Sequence, residues 1–176
     1  MIVFKPDSVE RGLVGEILAR FERAGLRIVG SKTLTVTKDF VAHHYPDKVD
    51  FLRSMGTKTL ENYAEVGLDP IKELGTDDPV EIGRRIRQWN MDFLSRGPVI
   101  AFVLEGNHAV ANVRRLVGKT IPSTAESGTI RGDYSVDSSI LANREKRAVQ
   151  NLVHASGTVE EAKEEIKLWF KSDELI

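Results

Sequence analysis

Cysteine is absent from the 176 residues of this sequence. Its absence excludes disulfide bridges, thiolate nucleophiles and zinc sites built on cysteine. Long apolar runs are missing too, since none approaches the roughly 20 residues that span a bilayer. The first residues, MIVFKPDS, lack the basic and apolar regions of a signal peptide. We therefore expect a cytoplasmic protein without a membrane segment.

An excess of charge of one sign is also missing, because 25 lysine and arginine residues balance 26 aspartate and glutamate residues. The net charge of −1 gives no reason to expect nucleic acid or an anionic membrane as the main partner. The length suits one domain with a buried core, and the sequence contains no repeats. We predict a single domain over residues 1–176.

Apolar periodicity predicts strands that alternate with helices. The runs at 1–4, 26–36 and 99–104 predict strands, and the fully apolar run 99–104 is best suited to the centre of a sheet. Asp78 and Pro79 predict the start of a helix over 79–95, since both residue types favour helix amino termini. Further helices are predicted from Val14 towards Gly25, at 38–44, at 108–117, within 138–150, and from the capping box Thr158-x-x-Glu161 onwards.

Other stretches are less regular. Residues 46–78 contain several glycine and proline residues and indicate at most one helix, near 57–66, whereas 129–136 is predicted to be extended. The short spacings between strands and helices indicate α/β or α+β layering. The buried face of the last helix would consist of Val159, Ala162, Ile166, Trp169 and Phe170.

His154 lies where a short apolar run meets the last, capped helix. The amino terminus of a helix attracts anions, and the small residues that follow His154 leave room for a ligand. A single histidine is more often structural, but this position favours an anion site with an imidazole nucleophile. Glu165, at the edge of the buried helix face, is either a solvated carboxylate or the group that orients the imidazole.

Three cations, Lys5, Arg114 and Arg131, lie near predicted strand or helix ends. Each alone is unremarkable, but their convergence on one cavity would indicate a polyphosphate ligand. The tripeptide Gly118-Lys119-Thr120 does not supply a P-loop, because Val113 stands where that motif needs glycine.

Several strings occur in one order along most of the chain: KPDSVERGLVGEILARFERAGLRIVG (5–30), HY (44–45), GPVIAFVLEG (97–106), VRRLVGKTIP (113–122), GTIRGDY (128–134), NLVHAS (151–156) and EEIKLWF (164–170). Together they closely resemble the nucleoside diphosphate kinase family. The resemblance implies an α+β fold, a ferredoxin-like βαββαβ sandwich with a four-stranded antiparallel sheet and, in this chain, a helical insertion at about 46–90. It also implies a homohexamer or a tetramer.

The resemblance further implies an enzyme that moves the γ-phosphate of ATP or another nucleoside triphosphate to a nucleoside diphosphate, in two half-reactions. His154 would become the phosphohistidine, and Glu165 would bind its other ring nitrogen. Tyr45 would lie close to the imidazole, and Ser156 would assist beside Glu165. Mg²⁺ would be held mainly through the nucleotide phosphates, so no residue is assigned to the metal.

Nucleotide-binding roles are implied in the same way. Lys5 would contact the ribose hydroxyl and the transferred phosphate, and Asn151 would contact the ribose. The phosphates would be held by Arg114, Thr120 and Arg131. Such a set is chemically coherent, because phosphoryl transfer depends mainly on positioning and on charge stabilisation.

The sequence departs from the family pattern in several places. The phenylalanine that usually stacks on the base has no clear counterpart within 46–90, and extra residues within 135–150 alter the base wall near Ala148. Gly157 replaces an acidic residue near the magnesium water shell. In a loop near subunit contacts, Lys119, Ile121 and Ser127 replace Glu, Asn and Pro. The candidates to cover the base are Ile86, Trp89 and Phe51.

Two other classes of function compete with the kinase. A regulatory module that keeps the fold without turnover would be favoured by loss of Lys5 or His154, and both are present. A ferredoxin-like nucleic-acid binder would need exposed aromatic residues on its sheet and a basic surface. Because the strand 99–104 is apolar and the net charge is near zero, the sequence favours the kinase.

Overall fold

A computed structural model describes all 176 residues of the chain. One antiparallel sheet has the strand order β2-β3-β1-β4, so β3 and β1 are its central strands. The prediction that 99–104 lies at the centre of the sheet is confirmed. The strands are β1 (Ile2–Phe4), β2 (Arg27–Thr35), β3 (Pro98–Glu105) and β4 (Val153–Ala155).

Helices connect the strands in the succession expected for a ferredoxin-like βαββαβ sandwich, and the α+β class is confirmed. They are α1 (Pro6–Glu10), α2 (Val14–Arg23), α3 (Lys38–His44), α4 (Val49–Glu65), α5 (Pro70–Leu74), α6 (Pro79–Leu94), α7 (Ala109–Val117), α8 (Ile130–Tyr134), α9 (Ser139–Arg144) and α10 (Val159–Trp169). Short 3₁₀ turns lie at Pro122–Thr124 and Ser172–Glu174. None of the helices combines the length and the apolar composition needed to cross a bilayer.

The core consists of two apolar clusters, one on each face of the sheet. Ile2 and Phe4 of β1 belong to one cluster and Val3 to the other, because successive side chains of a strand point to opposite faces. Val3 pairs with His154 of β4, and directly paired residues share a face. The imidazole therefore lies on the face that α3 and α10 cover.

The amino termini of two helices show which of the predicted capping interactions form. The side chain of Asp78 accepts hydrogen bonds from the amides of Val80 and Glu81, as an N-cap should. Thr158 caps α10 in the same way, although the Glu161 side chain reaches the amide of Gly157 and so completes no capping box. Val159 is 51% exposed, contrary to the prediction, because the first turn of α10 lies outside the core.

The helical insertion expected within 46–90 is present, but its helix begins earlier than the predicted 57–66 and is longer, because α4 has 17 residues and packs along α6. Two glycines permit this contact. A Cβ added at Gly56 would lie 1.8 Å from the Pro79 carbonyl oxygen, and one at Gly83 would lie 2.0 Å from that of Leu52. Gly56, which resembles a helix breaker in the sequence, is thus a point of close helix–helix approach.

The prediction of extended chain at 129–136 was also wrong, since this stretch contains α8. Its β-branched and aromatic residues favour a strand, but Thr129 accepts a hydrogen bond from the Gly132 amide at 3.2 Å and starts a helical turn. The Asp133 carboxylate closes the same turn by accepting from the Gly128 amide at 2.7 Å. Local capping therefore decides the conformation here.

Alanine at Gly56 should destabilise the fold by about 1–3 kcal/mol, because the new methyl group meets backbone atoms that cannot rotate away. Denaturant unfolding measures the loss. Gly15→Ala is the matched control, since a Cβ on that α2 glycine meets nothing within 4 Å and should stabilise the helix by about 0.5–1 kcal/mol. Equal stability of the two variants would contradict the tight α4–α6 contact.

Candidate active site

The imidazole of His154 is held by a buried carboxylate. Its Nε2 lies 2.6 Å from Oε1 of Glu165, while the other carboxylate oxygen accepts from the Ser156 hydroxyl at 2.5 Å. Because an ionised carboxylate only accepts hydrogen bonds, Nε2 carries the proton of the neutral ring. Nδ1 is then the nitrogen with a free lone pair, and no protein group bonds to it.

The surroundings keep this imidazole neutral at physiological pH. Burial, followed by the nearby ammonium of Lys5, lowers the pKa of His154 well below its ordinary value. Desolvation disfavours the imidazolium form, and a neighbouring cation acts in the same direction. A neutral ring with one unprotonated nitrogen is the state in which histidine can act as a nucleophile.

His44 is the site residue that the sequence reasoning missed. Its ring centroid lies 4.5 Å from that of His154 and 4.7 Å from that of Tyr45. The Trp169 indole donates to its Nδ1 at 3.3 Å, whereas its Nε2 is buried without a partner. Burial, then the charge of His154, lowers the pKa of His44. Helical spacing from Val41 placed it on the buried face of α3, but no pattern gave it a role.

His44, His154 and Glu165 offer three donor atoms within 4.8 Å of one another, the usual beginning of a metal site. The acceptor atoms of Glu165 and His44 already take part in hydrogen bonds. Both oxygens of Glu165 accept hydrogen bonds, and Nδ1 of His44 accepts from the Trp169 indole. We interpret the three residues as a packed cluster in which the bond to Glu165 orients the imidazole of His154 and the His44 ring packs against it.

The first helix and β1 fix the turn that precedes the histidine. Leu152 has a left-handed φ of 70°, which a residue with a side chain rarely adopts. The Lys5 amide donates to the Leu152 carbonyl at 2.8 Å, and the Asp7 carboxylate accepts from the Leu152 amide at 3.0 Å. The segment Lys5–Asp7 therefore holds the chain in the conformation that brings His154 into β4.

Lys5 is buried and belongs to a polar chain. Its ammonium donates to Oδ1 of Asn151 at 2.8 Å, and the Asn151 amide donates to the Thr120 carbonyl at 2.8 Å. Burial, then the guanidinium of Arg131, lowers the pKa of Lys5 to about 8. The side chain is still mainly cationic at pH 7, and no carboxylate lies within salt-bridge distance of it.

Arg131 lies in the first turn of α8 and is almost completely buried. Burial, then repulsion from Arg114, lowers the pKa of Arg131 to about 9. Backbone carbonyls take four of its five N–H groups, so its charge is solvated by the protein and not cancelled by an acid. The acceptors are the carbonyls of Gly118, Lys119, Asn151 and Val153.

These cations share one cavity of about 510 Å³ with the imidazole. Arg114 extends from α7 with a guanidinium nitrogen 3.5 Å from the Ala155 carbonyl. Burial raises the pKa of the Tyr45 phenol, which stays protonated beside His44. Ser156 and Glu165 lie behind the imidazole and do not line the cavity. The predicted residues that line it are Lys5, Tyr45, Arg114, Thr120, Arg131, Asn151 and His154.

The cavity continues between the two segments in which the sequence departs from the resemblance, segment 46–90 and segment 135–150. Ile86, Trp89 and Ala148 line it, whereas Phe51 packs against the core and does not. Phe51 was therefore a wrong candidate for the base cover. Further lining residues from these segments include Met55, Thr59, Asn62, Ser139, Asn143 and Arg147.

A buried cation without an acidic partner should cost stability. Lys5→Met should raise the free energy of unfolding at pH 7 by about 1–3 kcal/mol, because the depressed pKa reports an unfavourable burial of charge. The wild type should gain stability as pH rises from about 8 towards 10.5, since folded Lys5 is then neutral while unfolded lysine still binds a proton.

Urea unfolding of both proteins between pH 7 and pH 10 measures this difference. Lys163→Met, on the exposed side of α10, is the control and should change neither the stability nor its pH dependence. A Lys5→Met variant less stable than the wild type at pH 7 would show that the bond to Asn151 outweighs desolvation.

Comparison with known proteins places the geometry in a family context. The family model described as nucleoside diphosphate kinase matches residues 1–54 and 83–175, and the unmatched part lies within segment 46–90. A nucleoside diphosphate kinase of Pyrobaculum aerophilum is 49% identical, with 100% of this chain and 96% of the relative covered. One of Trichodesmium erythraeum is 37% identical, with coverages of 99% and 89%.

Solved structures give the same result. The crystal structure of an NDP kinase from Pyrobaculum aerophilum superposes with a TM-score of 0.93 at 48% identity, covering 99% of this chain and 96% of that one. A nucleoside diphosphate kinase of Borrelia burgdorferi, solved as a transition-state mimic with vanadate and ADP, has a TM-score of 0.78 at 32% identity. The coverages there are 99% and 88%.

Proposed function

The chain belongs to the nucleoside diphosphate kinase family, and on that premise we propose how its residues divide the work of phosphoryl transfer. The enzyme moves the γ-phosphate of a nucleoside triphosphate to a nucleoside diphosphate through a phosphohistidine. The observation that supports His154 as the nucleophile is the bond from Nε2 to Glu165, which leaves Nδ1 free in a cavity that three cations line. An intact nucleophile argues against a regulatory module without turnover.

In the first half-reaction, the Nδ1 lone pair of His154 attacks the γ-phosphorus. A P–N bond forms while the bond from phosphorus to the bridging oxygen breaks, and the nucleoside diphosphate leaves with that electron pair. The positive charge that develops on the ring is shared through Nε2–H with Glu165. In the second half-reaction, a terminal oxygen of the acceptor diphosphate attacks phosphorus and the P–N bond breaks.

The cations supply the charge that this transfer needs. We assign Lys5 to the transferred phosphate and the ribose hydroxyl, and Asn151, which already fixes the Lys5 ammonium, to the ribose. Arg114, Thr120 and Arg131 are assigned to the phosphates. Because Lys5 and Arg131 are held in place before a ligand arrives, little reorganisation is needed during the reaction.

Magnesium fits this arrangement as part of the substrate. The ion prefers oxygen ligands and keeps several waters, so the nucleotide phosphates would hold it, and the ion would neutralise charge on the transferred group. Glu161 lines the cavity, and its Oε2 accepts from the Gly157 amide at 2.6 Å. A Cβ at position 157 would lie only 2.7 Å from that oxygen. These contacts support the proposal that Glu161 would accept hydrogen bonds from water on the metal, in place of an acid at 157.

The substrates and the assembly belong to the same proposal. ATP and other nucleoside tri- and diphosphates are the expected ligands, the cytoplasm is the expected location, and a homohexamer or a tetramer is the expected assembly. The family's nucleotide chemistry and the unpaired cations of the cavity support the proposal that these nucleotides are the substrates. The net charge of −1 provides no excess of positive charge that would attract nucleic acid as a main partner.

Incubation with γ-labelled ATP and magnesium should give an acid-labile, base-stable phosphoprotein that passes its label to GDP. His154→Ala should take up no label. His43→Ala is the control, since this neighbouring α3 histidine is exposed and does not line the cavity. Labelling of the His154 variant, or an unlabelled wild type, would refute the assignment.

Glu165→Gln should slow phosphorylation of His154 by about 10–100-fold, because an amide stabilises the developing imidazolium less than a carboxylate does. Single-turnover mixing with ATP isolates this step, and nucleotide affinity should change little because Glu165 does not line the cavity. Glu164→Gln, one position earlier on the exposed face of α10, should behave as wild type. A change confined to affinity would contradict the positioning role.

A further inference from the structure

Two parts of the chain that are distant in sequence meet at the cavity. Asn62 of α4 donates to the Ser139 hydroxyl of α9 at 3.5 Å, and Asn143 of α9 donates to the Tyr63 hydroxyl at 3.4 Å. Tyr63 is fully buried. The contact between segment 46–90 and segment 135–150 is therefore part of the folded structure. It forms one wall of the cavity.

Ion pairs reinforce this wall from outside. The guanidinium of Arg144 makes two bonds of 2.7 Å to the Glu73 carboxylate and so ties α9 to α5. The guanidinium of Arg147 makes bonds of 2.6 and 3.0 Å to Asp137 within the same segment. Two-point contacts of this kind fix orientation as well as distance. The side chains of α9 are thus presented to the cavity by a rigid support.

Two polar side chains of the wall have hydrogen-bonding capacity that no protein group uses. Asn143 and Ser139 are each only 7% exposed, and both line the cavity. Oδ1 of Asn143 accepts no hydrogen bond, and the Ser139 hydroxyl donates none. Oδ1 of Asn143 is not fully enclosed, because the fully enclosed atoms without a partner are those of Asp7 and His44. Polar groups this buried normally have partners, so these two are available to a ligand.

The rest of the lining indicates which part of a nucleotide would reach them. In the proposed function, Lys5, Arg131 and His154 bind the phosphate end of the nucleotide. Trp89 on α6 and Ala148 beyond α9 offer apolar surfaces to the same cavity. A nucleobase has apolar faces and a hydrogen-bonding edge, and it is the part that suits a lining of aromatic and apolar side chains with a few fixed polar groups.

We propose that Asn143 and Ser139 hydrogen-bond to the edge of the nucleobase and make this chain discriminate among nucleotides by base. The inference rests on the proposed function, because it takes the phosphates to lie at His154. The Asn143 carboxamide oxygen accepts hydrogen bonds, so it recognises an exocyclic amine. Adenine or guanine nucleotides are therefore preferred over the hypoxanthine nucleotide, which has no such amine.

Calorimetric binding of ADP, GDP and IDP to the full chain tests this without any turnover. At least one of ADP and GDP should bind about tenfold more tightly than IDP. Asn143→Ala should bring that ratio to within about twofold, and Ser139→Ala, a smaller change in case the first variant fails to fold, should lower it in part. Asn112→Ala is the control, because this α7 asparagine lies outside the cavity and should leave the ratio unchanged.

A purely structural role for Asn143 would weaken all three nucleotides equally and leave the ratio intact, which would overturn the proposal. Equal affinities in the wild type would overturn it as well. The labelled phosphoenzyme separates this failure from failure of the proposed function. If label forms on His154 and is transferred equally fast to ADP, GDP and IDP, the kinase assignment is supported and the proposed base discrimination is refuted. If no label forms but affinities differ, the kinase assignment falls and base recognition stands.

Discussion

The hydrogen bond from His154 Nε2 to Glu165 decides what the site can do, because it fixes which ring nitrogen has the lone pair. Much of the fold serves this bond. The β1–β4 register turns the imidazole towards α10, and the position of α10 brings Glu165 beneath it. Ser156 holds the second carboxylate oxygen, so the acid cannot rotate away. The nucleophile is thus defined by tertiary structure and not by its own strand alone.

The positive charges of the cavity stay available to a ligand because the side chains that carry them bond to neutral partners. Lys5 bonds to an amide oxygen and Arg131 to four backbone carbonyls, so neither charge is neutralised by an acid. The depressed pKa values of both side chains report the cost of burying them. An anionic ligand offsets that unfavourable free energy when it binds. Such a site therefore destabilises the fold when empty and favours phosphate as a ligand.

Periodicity and capping residues were sufficient to predict β1, β2, β3, α6 and α7, because those signals are local. One error arose where a distant contact decides the conformation, and the other where local capping outweighs the propensity for a strand. Gly56 looks like a helix breaker until α6 packs against it, and α8 depends on capping by Thr129. The site residues came from the family resemblance, and the structure brings them together. His44 was missed because only its neighbours in space, Trp169 and His154, distinguish it from His43.

The left-handed Leu152 has a consequence for the order of events during synthesis. Its conformation is held by contacts with Lys5 and Asp7, and Asp7 precedes Leu152 by 145 residues in the chain. The strand that carries the nucleophile has only β1 as a partner in the sheet. The catalytic geometry therefore cannot form until both segments have been synthesised and have come into contact.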